Sequence, residues 1–188
     1  MSMRVVIDES ELQSVRQRLG ELQHKAPNVI ANALNRSVSN IKANVPKEVR
    51  KDYHAKAADI KATLKVFKAS ASKLQAEVKS SGKTLGLDKF KVSPKTVNPK
   101  RKSQLKVAVK KGGTKQILGA FIANINGTKV FKRDGIGRLP ISRLMGPSVP
   151  QMIGNESTVN KINQDAYITY ETRTNHEINR LLSRLGAN

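Results

Sequence analysis

The sequence contains no cysteine, no tryptophan and only 4% aromatic residues. Zero cysteines exclude a disulfide framework, thiolate metal sites, iron-sulfur ligation and a cysteine nucleophile together. With four Phe and three Tyr in 188 residues, a core must be built mostly from Leu, Ile, Val and Ala. Single-stranded nucleic acid is usually bound on several exposed rings, so this composition argues against that partner. Long apolar runs are also missing: the longest, ILGAFIANI at 117–125, falls far short of the roughly 20 residues of a spanning helix. The opening MSMRVVID reaches Asp8 before any apolar stretch of signal-peptide length, which argues against export. The expectation is a soluble chain used inside a cell, or in a particle assembled there, without a membrane partner. Acidic residues are scarce too, 14 against 35 Lys and Arg, which leaves a formal charge of +21.

What is present reads as an α+β chain folded as a single domain over 1–188, since roughly 100 to 200 residues usually make one domain. Its parts are a helical stretch 1–61, a β-rich basic stretch 62–156 and a C-terminal helix 157–188. Asp8 followed by Glu11 predicts a capping box, after which Leu12, Val15, Leu19 and Leu22 recur on one helical face. Pro27 ends that helix and suits the first turn of the next. In that second helix Ile30, Leu34, Val38, Ile41 and Val45 form the stripe, and Pro46 terminates it. The charged stretch 46–61 predicts one or two short helical turns lying on the surface.

From Thr63 the apolar period changes to two. Leu64 and Val66, then Leu74, Ala76 and Val78, then Leu105, Val107 and Val109 alternate with polar residues, as half-buried strands do. The pair Asn126-Gly127 between two strand-like runs signals a two-residue hairpin. Together these predict a small, mostly antiparallel sheet with long basic loops, of which VSPKTVNPKRKSQ at 92–104 is the longest. The stretch 135–150 is rich in Gly and Pro and is read as irregular. A final helix from about Ser157 to Leu185 carries Val159, Ile162, Ala166, Tyr170, Ile178, Leu181 and Leu185, with Gly186 as a stop, and packs on the sheet. At about 42 Å it exceeds the roughly 40 Å width of a domain this size, so part of it is expected to meet a neighbour. No repeat of 20 to 50 residues is visible, which disfavours a solenoid.

Catalytic chemistry finds no foothold. His24, His54 and His176 fall in different elements, without the i, i+4 spacing that brings two imidazoles to one metal, and read as surface or capping residues. The carboxylates are scattered beside lysines, as in Lys47-Glu48 and Lys51-Asp52, and no pair forms a dyad. Gly82-Lys83-Thr84 lacks the upstream glycine of a P-loop, because residue 77 is Glu, and no Gly-x-Ser-x-Gly elbow occurs. Neither a catalytic residue nor a cofactor or metal site is therefore assigned.

Charge is the strongest signal. Between Lys42 and Lys115 stand 21 basic and 5 acidic residues, net +16, which leaves net +5 for the rest. Lysines on alternate strand positions often only solvate a sheet face and guard its edge. Lys95, Lys100, Arg101, Lys102, Lys106, Lys110, Lys111 and Lys115 nevertheless concentrate on one loop and its adjoining strand, which points to a polyanion. Lysine acts as a point charge on phosphate, whereas base reading favours bidentate arginine, so DNA contact is expected to be sequence-independent and salt-labile.

The stretch VFKRDGIGRLPISRLMGPSVPQMI, with the strand before it and the helix after it, resembles the minor tail protein Z family of tailed bacteriophages. So do Ala33-Leu-Asn-Arg36 near the start and the basic middle, and the likeness extends over most of the chain. The resemblance implies a virion structural protein, not an enzyme. Such a protein is assembled in the host cytoplasm and completes the tail at its head-proximal end, joining tube to neck. It also implies self-association, typically as a hexameric ring, other tail and neck or connector proteins as partners, and non-specific contact with the double-stranded genome end. Two readings of the motif stay open. Either it is a loop covering the core, or Arg138, Leu139, Pro140, Ile141, Arg143, Leu144, Pro147 and Ser148 meet a neighbouring subunit. A stand-alone basic nucleic-acid-binding module, ribosome- or nucleoid-associated, is the alternative from a different class.

Overall fold

The computed structural model describes residues 1–185, and the proposed stop at Gly186 lies outside them. The chain forms two compact units. The first comprises 1–45, 63–80 and the C-terminal stretch from 154, and the second comprises 46–62 and 81–153. The α+β class, the helical beginning, the small antiparallel sheets and the long last helix all stand as expected, but the strands are divided among four sheets instead of one.

In the first unit, β1 (Ser2–Val6) pairs antiparallel with β3 (Gln75–Ser80), which pairs antiparallel with β2 (Leu64–Phe67). Helix α1 (Glu9–Leu19) starts where the sequence places it, with Asp8 accepting from the Glu11 N–H at 2.9 Å. The reciprocal half of the capping box is not made, because the Glu11 carboxylate accepts from the Tyr170 hydroxyl at 3.3 Å. The helix also ends earlier than its apolar period suggests. Gly20 takes φ +54, a conformation that L side chains rarely adopt, and a 3-10 stretch (Gly20–Lys25) carries Leu22 out of the stripe. Helix α2 (Ala26–Asp52) follows, with Pro27 in its first turn.

The last helix of the chain, labelled α5 below (Glu156–Leu185), lies against both. The Ser37 hydroxyl donates to the Ala166 carbonyl at 2.6 Å, and the Arg18 guanidinium donates to Asn175 Oδ1 at 2.6 Å. Its buried face is Thr158, Ile162, Ala166, Tyr170, Thr174 and Ile178, one residue in four. Two threonines thus belong to a stripe that apolar counting leaves incomplete, while Val159 and Leu181 are only half-buried. The Leu185 side chain is outside the described set.

Pro46 does not end α2, which continues to Asp52. A proline ring removes one backbone donor and crowds the preceding turn. Here Val45, Pro46 and Val49 are all buried, and that burial outweighs the lost bond. The stretch 46–61 is accordingly not a surface appendage: α3 (Ala57–Lys61) buries Ile60 completely, and Tyr53 and Ala55 are nearly as enclosed.

In the second unit β4 (Thr84–Gly86) precedes β5 (Lys91–Ser93), which pairs with β6 (Leu105–Ala108). Strand β6 pairs in turn with β7 (Lys115–Ile117). The apolar run 117–125 is not one strand. Leu118 and Gly119 turn the chain, with Gly119 at φ +72, before β8 (Ala120–Asn124) begins. Strand β8 forms a hairpin with β9 (Thr128–Arg133) through Ile125, Asn126 and Gly127. The connection therefore has three residues rather than two, with Asn126 at φ +50 and Gly127 at φ +95. The stretch read as irregular contains β10 (Ile141–Arg143) paired with β9, β11 (Met145–Ser148) paired with β4, and the start of α4 (Val149–Ile153). Gly and Pro fit here because these are short, bulged edge pieces, not central ladder positions.

Candidate functional site

The second unit holds 21 basic and 5 acidic residues, net +16 over 90 residues, against net +5 over the 98 residues of the first. Three of its five carboxylates already neutralise particular cations: Glu48 with Lys51 at 2.7 Å, Asp59 with Lys89 at 3.5 Å, and Asp88 with Arg143 at 2.8 Å. The positive field is therefore a property of this unit and is not cancelled within it.

The eight residues expected to meet a polyanion do not form a single face. Lys95, Lys100, Lys102, Lys106, Lys110, Lys111 and Lys115 are exposed. The register pairs Val107 with Lys115 and Ser93 with Lys106, so the pleat sends Lys106 and Lys115 to opposite sides of the sheet β5-β6-β7. Lys110 lies over the Tyr53 ring, 5.7 Å from its centre, and the neighbouring Lys111 N–H donates to the Asp52 carbonyl at 2.7 Å. Both are thereby set at the end of α2. Arg101 is different in kind. It is half-buried, and its guanidinium donates to the Ala120 carbonyl at 3.1 Å. It ties the basic loop to β8, while Lys100 and Lys102 on either side are exposed. Asn98 shapes the bend, its side chain accepting from the Lys100 N–H at 3.0 Å and its carbonyl from the Arg101 N–H at 3.3 Å. Between this loop and β8 runs an open groove lined by Arg101, Lys102, Phe121 and Arg133.

The motif residues split likewise into exposed and engaged groups. Residues 134–140 make the tip of the β9–β10 hairpin, where Ile136 is fully exposed and Leu139 is 69% exposed, beside exposed Arg138 and Pro140. This tip is braced from within. Arg133 donates to the Arg138 carbonyl at 2.6 Å, the Asp134 N–H donates to the Pro140 carbonyl at 3.1 Å, and Ser142 donates to Asp134 at 2.7 Å. Ile141 is half-buried. Arg143 makes three hydrogen bonds to Asp88, Leu144 is half-buried with its N–H on the Val130 carbonyl at 2.9 Å, and Pro147 is half-buried. Ser148 is buried and caps α4. Its hydroxyl and N–H both donate to Gln151 Oε1, at 3.0 and 2.8 Å, a serine-glutamine cap contained in the letters S-V-P-Q. Gly146 has a steric reason: a Cβ there would come within 2.7 Å of the Phe90 ring.

One residue of consequence, Asn35, carries no sequence signal of its role. The Asn35 amide both donates to the Ala69 carbonyl at 3.0 Å and accepts its N–H at 2.8 Å, as a neighbouring strand would. Its position beside the apolar stripe of α2 gives no sign of this. The three histidines stay apart, and among the described residues no cluster of His, Asp and Glu is able to hold a metal. Thr84 of the Gly-Lys-Thr triplet lies in β4, not at the mouth of a phosphate loop.

A unit dense in unneutralised positive charge, carrying a braced apolar tip, defines a protein that works through its surfaces. The family profile described as Prophage minor tail protein Z matches residues 12–184, and the chain belongs to that family. It is a phage minor tail, or tail-completion, protein, structural and not enzymatic. No curated protein and no solved structure matches the chain. Among the described residues no helix is long and apolar enough to cross a membrane.

Proposed function

We propose that the chain closes the head-proximal end of the tail, joining tube to neck by self-association, with the basic unit turned toward polyanionic and acidic surroundings. The observation that carries this reading is the charge asymmetry: 16 of the 21 net positive charges belong to the second unit. For a ring of six, 6 times 21 gives +126. Threaded DNA about 40 Å long offers only roughly 24 phosphate charges, at about one per 1.7 Å. Most of the positive charge therefore faces acidic protein surfaces or solvent, and genome contact is a minor, sequence-independent part. The exposed tip of Ile136 and Leu139, with Arg138, supplies the subunit contact.

The test is the solution mass of the purified protein at low and high salt, with and without a short random-sequence duplex. A closed ring, or a monomer that assembles only on tail partners, with weak and salt-labile DNA affinity, supports tail completion. Tight duplex binding by a monomer or dimer overturns it in favour of a stand-alone nucleic-acid module. Lys100→Glu with Lys102→Glu, leaving Arg101 to hold the loop, is expected to flatten the salt dependence of duplex binding by up to about two in log-log slope. An unchanged slope removes this loop from the DNA contact.

A further inference from the structure

The second unit also carries a cleft of about 280 Å³. Its floor is apolar: Phe90, Val92, Ile122 and Val130 all line it. Three lysines rim it, Lys56 ahead of α3, Lys95 after β5 and Lys129 on β9, and among the described residues none of the three has a carboxylate partner. The fourth lysine, Lys89, is held by Asp59 at 3.5 Å, and the one acid at the cleft, Asp88, is held by Arg143.

We propose that this cleft is a docking site for an acidic peptide segment that carries one large apolar side chain between carboxylates. The two halves of the site require the two halves of the ligand. Lysine ammonium groups attract phosphate and carboxylate alike as point charges, so the rim alone does not choose between DNA and protein. The floor does. A phosphodiester backbone has nothing apolar to place over Phe90 and Ile122, and a duplex is too broad to enter a cleft of this volume. The floor residues are themselves nearly closed to solvent, so it is the ligand's own aliphatic or aromatic side chain that leaves water on settling there, while flanking Asp or Glu meet Lys56, Lys95 and Lys129. The size fits one such side chain, since it lies just below the roughly 300 Å³ at which pockets for whole small-molecule ligands begin. The inference rests on the proposed docking to tail and neck proteins only for the source of the segment.

The experiment uses the full-length protein and a fluorescent capped peptide, Asp-Glu-Leu-Phe-Glu-Asp, titrated by anisotropy at about 0.15 M salt. Hexaglutamate, inorganic phosphate and a random 20-base-pair duplex serve as competitors. The expected result is binding at least tenfold tighter for the mixed peptide than for hexaglutamate, and no displacement by phosphate. Lys56→Glu with Lys129→Glu is expected to weaken it at least tenfold, and Lys102→Glu with Lys111→Glu, an equal charge change away from the cleft, less than twofold. Equal affinity for hexaglutamate, or equal loss from both double variants, overturns the proposal in favour of undirected electrostatics. Displacement by the duplex, with duplex binding lost in Lys56→Glu/Lys129→Glu, overturns it in favour of a phosphate site. The DNA reading of the basic loop fails separately, on the duplex titration of the Lys100/Lys102 variant.

Discussion

Arg143 donates from Nη2 to Asp88 Oδ1 at 2.8 Å and from Nε to the same oxygen at 3.3 Å, and the pair closes over the backbone of Gly86. A Cβ at position 86 would collide with both the guanidinium and the carboxylate. Gly86, Asp88 and Arg143 therefore act as one device, which fixes the β10–β11 part of the tail-protein motif to the turn after β4.

Gly86→Ala is expected to expel the ion pair and cost about 1.5–3 kcal/mol, the range of hydrogen bonds to charged groups. Arg143→Ala should cost a similar amount. Because both variants lose the same pair, the double variant should be little worse than either alone. Urea denaturation of the four proteins checks this, and additive losses would mean that Gly86 guards something else.

Acid and alkali test the ends of the first unit's helix packing. Hydrogen bonds from the Glu11 N–H and the Ser10 hydroxyl hold the Asp8 carboxyl below its ordinary 3.8. A depressed folded value stabilises above the unfolded value and loses that contribution as pH falls through the folded one. The stability gap between wild type and Asp8→Ala should thus be full at pH 6 and shrink below about pH 3.8. Burial raises the Tyr170 hydroxyl well above its usual 10.0. Its contribution is full below pH 10 and is lost as pH rises further, so Tyr170→Phe should flatten the alkaline decline seen by circular dichroism.

Ser37 and Ser39 lie two apart on α2 and should behave oppositely. The Ser37 hydroxyl is fully buried and reaches the Ala166 carbonyl on α5, whereas the Ser39 hydroxyl bonds to the Asn35 carbonyl of its own helix and is exposed. Ser37→Ala is expected to cost about 1 kcal/mol, or roughly 2–4 °C in Tm. Ser39→Ala should be neutral or slightly stabilising, since alanine is the better helix former. Paired thermal melts decide it.

Leu139→Asp at the exposed tip should leave the melting temperature unchanged and abolish incorporation into tails, scored by sedimenting assembled particles. Leu144→Asp is the poorer probe, because Leu144 is half-buried and its backbone is bonded to Val130, so that change should lower Tm. Normal incorporation of Leu139→Asp would dismiss the tip as a subunit contact.

Local signals read well where one residue suffices to produce the effect. Asp8 caps because its side chain reaches an N–H three residues on, and Asn126-Gly127 turns because both residues accept positive φ. They read poorly where distant parts compete. Pro46 should stop a helix, yet α2 passes through it among buried neighbours, and Gly20 rather than Pro27 ends α1. The stretch 135–150 reads as irregular because its strands are too short and bulged to show a period of two.

The sequence by itself determined the excess of positive charge, the lack of thiol chemistry, the helical ends around a β-rich middle, and the motif that marks the family, because composition and short-range order need no partner. Only the tertiary structure decided which cations are free. It bound Arg101 to Ala120 and Arg143 to Asp88, put Lys106 and Lys115 on opposite faces, and drew Lys56, Lys95 and Lys129 around one apolar floor. A charge becomes a site through what lies within a few ångströms of it, and that neighbourhood is assembled from residues far apart in the chain.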